Sequence, residues 1–296
     1  MPNPGDELDL DIGNAAHGGV FVARSGETDA SGRGGRVIFV PDVLPGERVR
    51  VRLTETRRSS FWRAEAVRVL RASPFRQQHV WSAASIDTPT EHRAGGAEFG
   101  HIELAEQRRL KSAVLTDALH RFGRIERAVP VEPVPGESPD GTRWRTRVSL
   151  HVDECGRIGP YAARSRDVVA VTELPLATEA IEAAFLGLSV ADPGRVDLVQ
   201  PADGEVRVLR RSAASGPANE TLIERVAQRE FRVHSAGFWQ VHRGAATALT
   251  AAVREALAIP EVAVLLDEPE AIHLDLYGGV GLFAACLLYT SDAADE

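Results

Sequence analysis

Cysteine, lysine, methionine and tyrosine are all scarce in this chain of 296 residues, which holds two cysteines, one lysine, one methionine and three tyrosines. The two cysteines, Cys155 and Cys286, cannot build a disulfide framework, and no Cys/His spacing suits a structural zinc. No run approaches the ~18 consecutive apolar residues that a membrane helix needs. The opening Met1-Pro2-Asn3-Pro4-Gly5-Asp6-Glu7 is acidic and has no apolar core, so no secretory leader is read there. These absences point to a cytoplasmic protein with no membrane partner, and a monomer is expected. At 44% hydrophobic and 26% charged residues, collagen, coiled coil and wholesale disorder are excluded, and the length suits two or three globular domains.

The net charge of −8 argues against a general nucleic-acid coat. Its distribution matters more. The only lysine is Lys111, so the cations are arginines. From Val43 to Arg76 there are nine of them (48, 50, 52, 57, 58, 63, 68, 71, 76) against Glu47, Glu55 and Glu65, a local net of +6. Arginine presents a planar fork of donors that matches phosphates and base edges. The alternative is a genome with an arginine bias, in which no single arginine carries meaning.

Residues 5–70 predict short strands broken by turns. Asp9 to Ile12 alternates; Val20 to Ala23 follows the double-glycine turn Gly18-Gly19; Arg36 to Val40 ends at Pro41. After Pro45-Gly46, Val49, Val51 and Leu53 fall on one face and Arg48, Arg50 and Arg52 on the other. Phe61 to Leu70 is the fifth candidate. Five short strands with glycine turns predict a small OB-like barrel, a fold that commonly binds single-stranded nucleic acid. Phe21 and Phe39 are expected in its core; Arg57, Arg58 and Arg63 are the candidate RNA contacts. The blocks His17-Gly18-Gly19-Val20, Val37-Ile38-Phe39-Val40-Pro41 and Leu44-Pro45-Gly46-Glu47-Arg48-Val49, in that order, resemble a TRAM domain, an RNA-binding module attached to RNA-modifying enzymes.

The middle reads as α+β. Leu110, Val114, Ala118 and Phe122 recur at helical spacing and predict an amphipathic helix over 102–122. Residues 130–141 are a proline-rich loop, 143–152 a strand, 158–171 further strands with turns and 177–188 a helix. Ala202-Asp203-Gly204-Glu205 signals a hairpin between 196–199 and 206–209, and 212–220 reads as a linker. No catalytic signature stands out here, and Cys155 reads as a turn residue.

Toward the end, Ile272-His273-Leu274-Asp275-Leu276 predicts an apolar strand carrying an acid, followed by the glycine loop Tyr277-Gly278-Gly279-Val280-Gly281. Glycines let a cofactor approach the backbone, and a strand-end acid can accept its hydrogen bonds. The loop is not Gly-x-Gly-x-x-Gly and lacks the lysine of a phosphate loop. S-adenosylmethionine, with a cationic sulfonium and amino group and no phosphate, suits it better. Upstream stands His234-Ser235-Ala236-Gly237-Phe238-Trp239-Gln240-Val241-His242, before a predicted helix at 243–258.

The TRAM-like barrel, then Phe-Trp-Gln-Val-His, then Asp-Leu-Tyr-Gly-Gly-Val-Gly together resemble the RNA 5-methyluridine methyltransferase family. The resemblance implies an α+β multidomain fold: an OB-like barrel at 1–72, a central α+β domain at 73–220 whose helix 102–122 reaches the methyltransferase domain, and the start of a Rossmann-like α/β domain at 221–286. It implies Gln240 and Tyr277 lining the methyl-donor pocket, with Asp275, Gly279 and Gly281 around the donor's methionine end. It also implies transfer or ribosomal RNA as substrate. In the family, a cysteine thiolate attacks carbon 6 of uracil, carbon 5 takes the methyl group, and a carboxylate-type base removes the carbon 5 proton.

The chain departs from that pattern at four places. Leu282 stands where asparagine is frequent, and Gly278 where cysteine is frequent. Ala94, Ala97 and Leu174 stand where some members have cysteines for an iron–sulfur cluster; without thiolates no cluster is expected. Only fifteen residues follow Gly281, too few for the remaining βα units, and 287–296 resembles translated adapter sequence. The expectation is a C-terminally truncated chain that lacks nucleophile and base, binds the donor poorly and is catalytically inactive, with Cys286 too near the loop to serve. Two rivals remain open: a non-enzymatic RNA-binding protein built on the barrel, and a nicotinamide or flavin enzyme on a Rossmann domain.

Overall fold

The computed structural model describes residues 2–26, 35–58, 60–162, 165–189, 192–211, 220–266, 272 and 274–288. It divides into two compact units, Met1–Glu132 with Tyr161–Val169, and Pro133–Pro160 with Ala170–Glu296.

The first unit is built on five strands, β1 (Glu7–Ala16), β2 (Val20–Arg24), β3 (Val37–Pro41), β4 (Arg48–Glu55) and β5 (Phe61–Arg71). They close into a barrel in the order β1-β2-β3-β5-β4. All pairs are antiparallel except β3 with β5. Period-two alternation sends Val49, Val51 and Leu53 inward, each 1% exposed or less, with Phe21, Ile38 and Val40 beside them. Gly18 and Gly19 have φ of +85° and +74°, a left-handed turn that side chains resist. Phe39 was expected inside. It lies between the inward Ile38 and Val40 and is therefore half-buried on the outer face.

Glu47 explains the Leu-Pro-Gly-Glu-Arg-Val block. Its side chain is fully buried and accepts the Leu44 N–H at 2.9 Å and the Ser73 N–H at 3.1 Å. Arg76 grips both its oxygens, Nε at 2.6 Å and Nη2 at 2.8 Å. The carboxylate thus ties the turn before β4 to the segment that leaves β5. Nearby, Arg93 is buried, holds Asp42 at 2.9 Å and donates to the carbonyls of Ile86 and Thr88.

The amphipathic helix is shorter than its sequence pattern. Helix α1 spans Leu104–Ala118 and passes into a π turn at Leu119–Gly123. Of the expected stripe, Leu110 enters the barrel core, whereas Phe122 is exposed.

In the second unit, β6 (Arg147–Val152), β7 (Ile158–Gly159), β8 (Gly194–Val199) and β9 (Arg207–Arg211) form a sheet in the order β7-β6-β8-β9. Helix α2 (Glu179–Leu186) packs on β8. Cys155 sits exposed in the β6–β7 turn, as expected. The predicted 202–205 turn joins β8 to β9. A second hairpin, β10 (Thr221–Val226) with β11 (Arg229–His234), precedes α3 (Ala245–Leu257) and α4 (Pro260–Leu266). Residues 212–219 of the expected linker lie outside the described residues.

The strand expected at 272–276 is not found among its described residues, which lack strand pairing and leave Ile272, Leu274 and Leu276 85%, 75% and 77% exposed. The reason is pairing. A strand exists through a neighbour's ladder, and the named strands of this unit pair only antiparallel with each other. His273 and 289–296 lie outside the described residues.

Candidate functional site

The segment Phe238-Trp239-Gln240-Val241-His242 is fixed residue by residue. After β11, the Gly237 N–H donates to the His234 carbonyl at 2.7 Å and turns the chain. Phe238 is flung outward, 76% exposed, while Trp239 is buried with its ring 5.6 Å from Phe231. The Val241 carbonyl accepts both the backbone N–H and the hydroxyl of Thr146, at 2.8 Å and 3.0 Å. His242 stacks on Trp144 at 5.4 Å and 14°, and its Nδ1 accepts the Gly244 N–H at the start of α3. Burial lowers the His242 pKa, which suits a neutral ring accepting that bond. Gln240 is therefore held between two anchored neighbours.

Gln240 lines an open cleft of about 680 Å³ with Thr146, Gln200, Glu224, Trp239 and Arg243. Arg143 and Arg225 complete its cationic rim. Arg143 is held by Glu182 at 2.5 Å, Arg225 by Glu230 at 2.6 Å and Arg243 by the Gly136 carbonyl at 3.0 Å. Glu224 is buried and pairs with Arg147 at 3.2 Å; burial raises its pKa despite that partner. Apart from Gln240, these lining residues were not foreseen, because they come from segments distant in sequence, with only Trp239 and Arg243 near the motif.

The glycine loop is folded tightly. Tyr277, Gly279 and Gly281 have φ of +61°, +59° and +80°. The Gly281 N–H donates to the Gly278 carbonyl at 2.8 Å. The Asp275 carboxylate accepts the Ala284 N–H at 3.3 Å and lies 2.8 Å from where a Cβ on Gly278 would be. The backbone at Gly279 has open space around it. Leu282, Ala285 and Cys286 then pack on the core of Val226, Phe231, Val233 and Trp239. Trp239, next to Gln240, and the residues that follow the glycine loop thus share one apolar cluster. The cleft is not lined by Asp275, Tyr277, Gly279 or Gly281, and the Tyr277 side chain is fully exposed.

On the barrel, the arginines divide into two sets. Register pairs Asp9 with Arg50 and Asp11 with Arg48 across β1 and β4. Arg48, Arg50 and Arg52 accordingly reach Asp11, Asp9 and Glu7 at 2.9, 2.8 and 3.2 Å. These cations, which the sequence counts toward +6, are neutralised by their neighbour strand. Arg58 and Arg63 share one acid, Glu55, each at 3.4 Å. Among the described residues Arg57 makes no ion pair.

Residues 3–67 match the TRAM domain model. The chain is similar to an uncharacterized RNA methyltransferase of Streptomyces coelicolor, 33% identical over 96% of this chain and 66% of the relative. One from Streptomyces avermitilis is 33% identical over 96% of this chain and 69% of the relative. A 23S rRNA (uracil(1939)-C(5))-methyltransferase of Pectobacterium atrosepticum is 30% identical over 66% of this chain and 44% of the relative. The crystal structure of the Pyrococcus abyssi tRNA (uracil-54, C5)-methyltransferase, in complex with S-adenosyl-L-homocysteine, matches with a TM-score of 0.59 at 19% identity, covering 93% of this chain and 69% of that one. That likeness shows a shared fold. The chain spans about two thirds of the length of the Streptomyces relatives. By descent and by its N-terminal module, this chain belongs to the RNA methyltransferases that carry a TRAM domain.

Proposed function

We propose that this chain supplies the RNA-binding and donor-binding parts of an enzyme that methylates carbon 5 of a uridine in transfer or ribosomal RNA, with S-adenosylmethionine as donor. One observation carries the reading most. Gln240 lines a cleft with Trp239, and Trp239 belongs to the apolar cluster on which Leu282, Ala285 and Cys286, just after the glycine loop, pack. The proposed donor set is the Gln240 amide in the cleft together with the Asp275 carboxylate and glycine backbone, which do not line it. It suits an amino acid headgroup and a sulfonium rather than a phosphate. When bound, the donor supplies an electrophilic methyl group. The protein's part is to orient it through Gln240 and Asp275 and to hold the RNA through Arg57, Arg58 and Arg63. The family chemistry needs a thiolate at carbon 6 of uracil. Cys155 is exposed in a turn, and Cys286 packs its side chain toward the Trp239 core. Neither is placed as a nucleophile.

Two measurements test these assignments. In titration calorimetry, the 296-residue chain is expected to bind S-adenosylmethionine more weakly than micromolar and, with RNA added, to give no turnover. Micromolar binding or turnover would contradict the placement of the site. Salt titration of single-stranded RNA binding should give a log–log slope of roughly 0.7 per phosphate contact. Replacing Arg57 and Arg58 by alanine should lower that slope by roughly 1.4, and an unchanged slope would remove both arginines from the interface. The rival reading, a barrel that binds RNA without chemistry, predicts no donor affinity even in a protein that carries the complete methyltransferase domain.

A further inference from the structure

Two aromatic rings stand on the outside of the barrel with no part in its core. Strands β3 and β5 run parallel with Val37 opposite Phe61 and Phe39 opposite Arg63. The alternation that buries Ile38 and Trp62 turns Phe39, Phe61 and Arg63 outward. The two phenyl rings meet edge to face, 5.3 Å apart at 71°. Arg58 and Arg63 place their guanidinium carbons 5.1 Å and 5.7 Å from the centre of the Phe61 ring. Their shared acid, Glu55, is 3.4 Å from each, whereas the β4 arginines hold their β1 acids at 2.8–3.2 Å. An outward aromatic ring, ringed by cations that outnumber their acids, is the chemistry of a site for one base and its phosphates.

We propose that Phe61, braced edge-on by Phe39, is a stacking platform for one unpaired base of the RNA, with Arg57, Arg58 and Arg63 on the flanking phosphates. The inference rests on the RNA reading above and adds a geometric demand to it: the bound RNA is single-stranded at this point. In the free protein the Arg58 guanidinium lies over the ring. Its side chain is 62% exposed and weakly held. An incoming base takes its place on the ring, and the guanidinium turns to the adjacent phosphate. An acidic protein partner would engage the same arginines but would have no need of the ring face.

Fluorescence anisotropy of the 296-residue chain with a labelled short oligouridylate, and with a blunt RNA duplex, tests this. Phe61→Leu keeps the apolar bulk and removes the π face. It should weaken single-strand binding about 10-fold, within the range for one stacked base, without changing the salt slope or the duplex affinity. Phe61→Trp should retain or strengthen binding. Wild-type affinity in Phe61→Leu, with the Arg57 and Arg58 variant still impaired, would overturn the stacking platform and leave the RNA reading standing. Failure of the folded wild-type chain to bind either RNA would instead overturn the RNA reading. If Phe61→Leu does not fold, photocrosslinking of wild type with a 5-iodouridine oligonucleotide decides. Adducts at Phe61 or Phe39 support the platform, and adducts only elsewhere contradict it.

Discussion

Glu47→Gln is expected to lower the unfolding free energy of the barrel unit by about 3 kcal/mol, the low end for breaking a buried ion pair by removing one partner. The glutamate is fully buried and uses both oxygens, on two backbone N–H groups and on the fork of Arg76. Glutamine keeps the size of the side chain but offers one acceptor, and its NH2 faces donors where the carboxylate faced them. Arg76, only 14% exposed, is left without its counter-charge. The contrast is Asp9→Asn, which disrupts the exposed Arg50–Asp9 pair and should change little, since exposed pairs are screened and entropically opposed. Urea unfolding followed by tryptophan fluorescence reads both. A loss below about 1 kcal/mol for Glu47→Gln would mean that Arg76 finds another anion or water, at a cost typical of surface pairs.

The second large effect is acid sensitivity of the same unit. His101 is buried, and its Nε2 lies 3.3 Å from the Val43 carbonyl, so the neutral ring donates there. Its Nδ1 is buried without a hydrogen-bond partner, and a proton on it would have no acceptor. Burial first, then the nearby Arg76 charge, lower its pKa from 6.5 to about 3. His79, stacked 6.2 Å away, is lowered in the same direction, chiefly by burial. The unfolded chain therefore binds protons that the folded one refuses. Stability is full above pH 6.5 and falls as the pH drops toward 3, by up to about 1.4 kcal/mol per pH unit for His101 alone. Asp42 works the other way: burial raises its pKa, so it favours the folded state as the pH falls. His101→Gln isolates the histidine, because its amide can still donate to Val43. The wild-type profile should fall below pH 6.5 more steeply than that of the variant. Parallel profiles between pH 6 and 4 would contradict the assignment.

Much of the barrel is legible in sequence because alternation is local. Val49, Val51 and Leu53 declare an inner face, and Gly18-Gly19 declares a turn. The neutralisation of Arg48, Arg50 and Arg52 is not legible, since it depends on the register that sets Asp9 opposite Arg50. The outward position of Phe39 is not legible either: an apolar residue between two apolar residues can face either way, and Ile38 and Val40 take the core. The β10–β11 hairpin is hidden in the sequence because its inward face carries Glu224 between Leu222 and Val226. That glutamate is buried only because Arg147 arrives from β6. The motif around Gln240 was found from sequence, yet its cleft was not. Arg143, Thr146, Gln200 and Glu224 reach it from β strands and loops that only folding assembles. The apolar run at 272–276 reads as a strand on composition alone, but composition does not provide the neighbour that a strand requires.

We propose that the protein to which this chain belongs methylates carbon 5 of uridine in RNA. The most direct test is nucleoside mass spectrometry of ribosomal and transfer RNA from a bacterial host that lacks 5-methyluridine, before and after expression of the gene that encodes this sequence. 5-Methyluridine should appear in one of the two RNA classes and be lost when Gln240 is replaced by alanine. Methylation on another base or on ribose, or no new methylation from a soluble and folded product, would contradict the proposal.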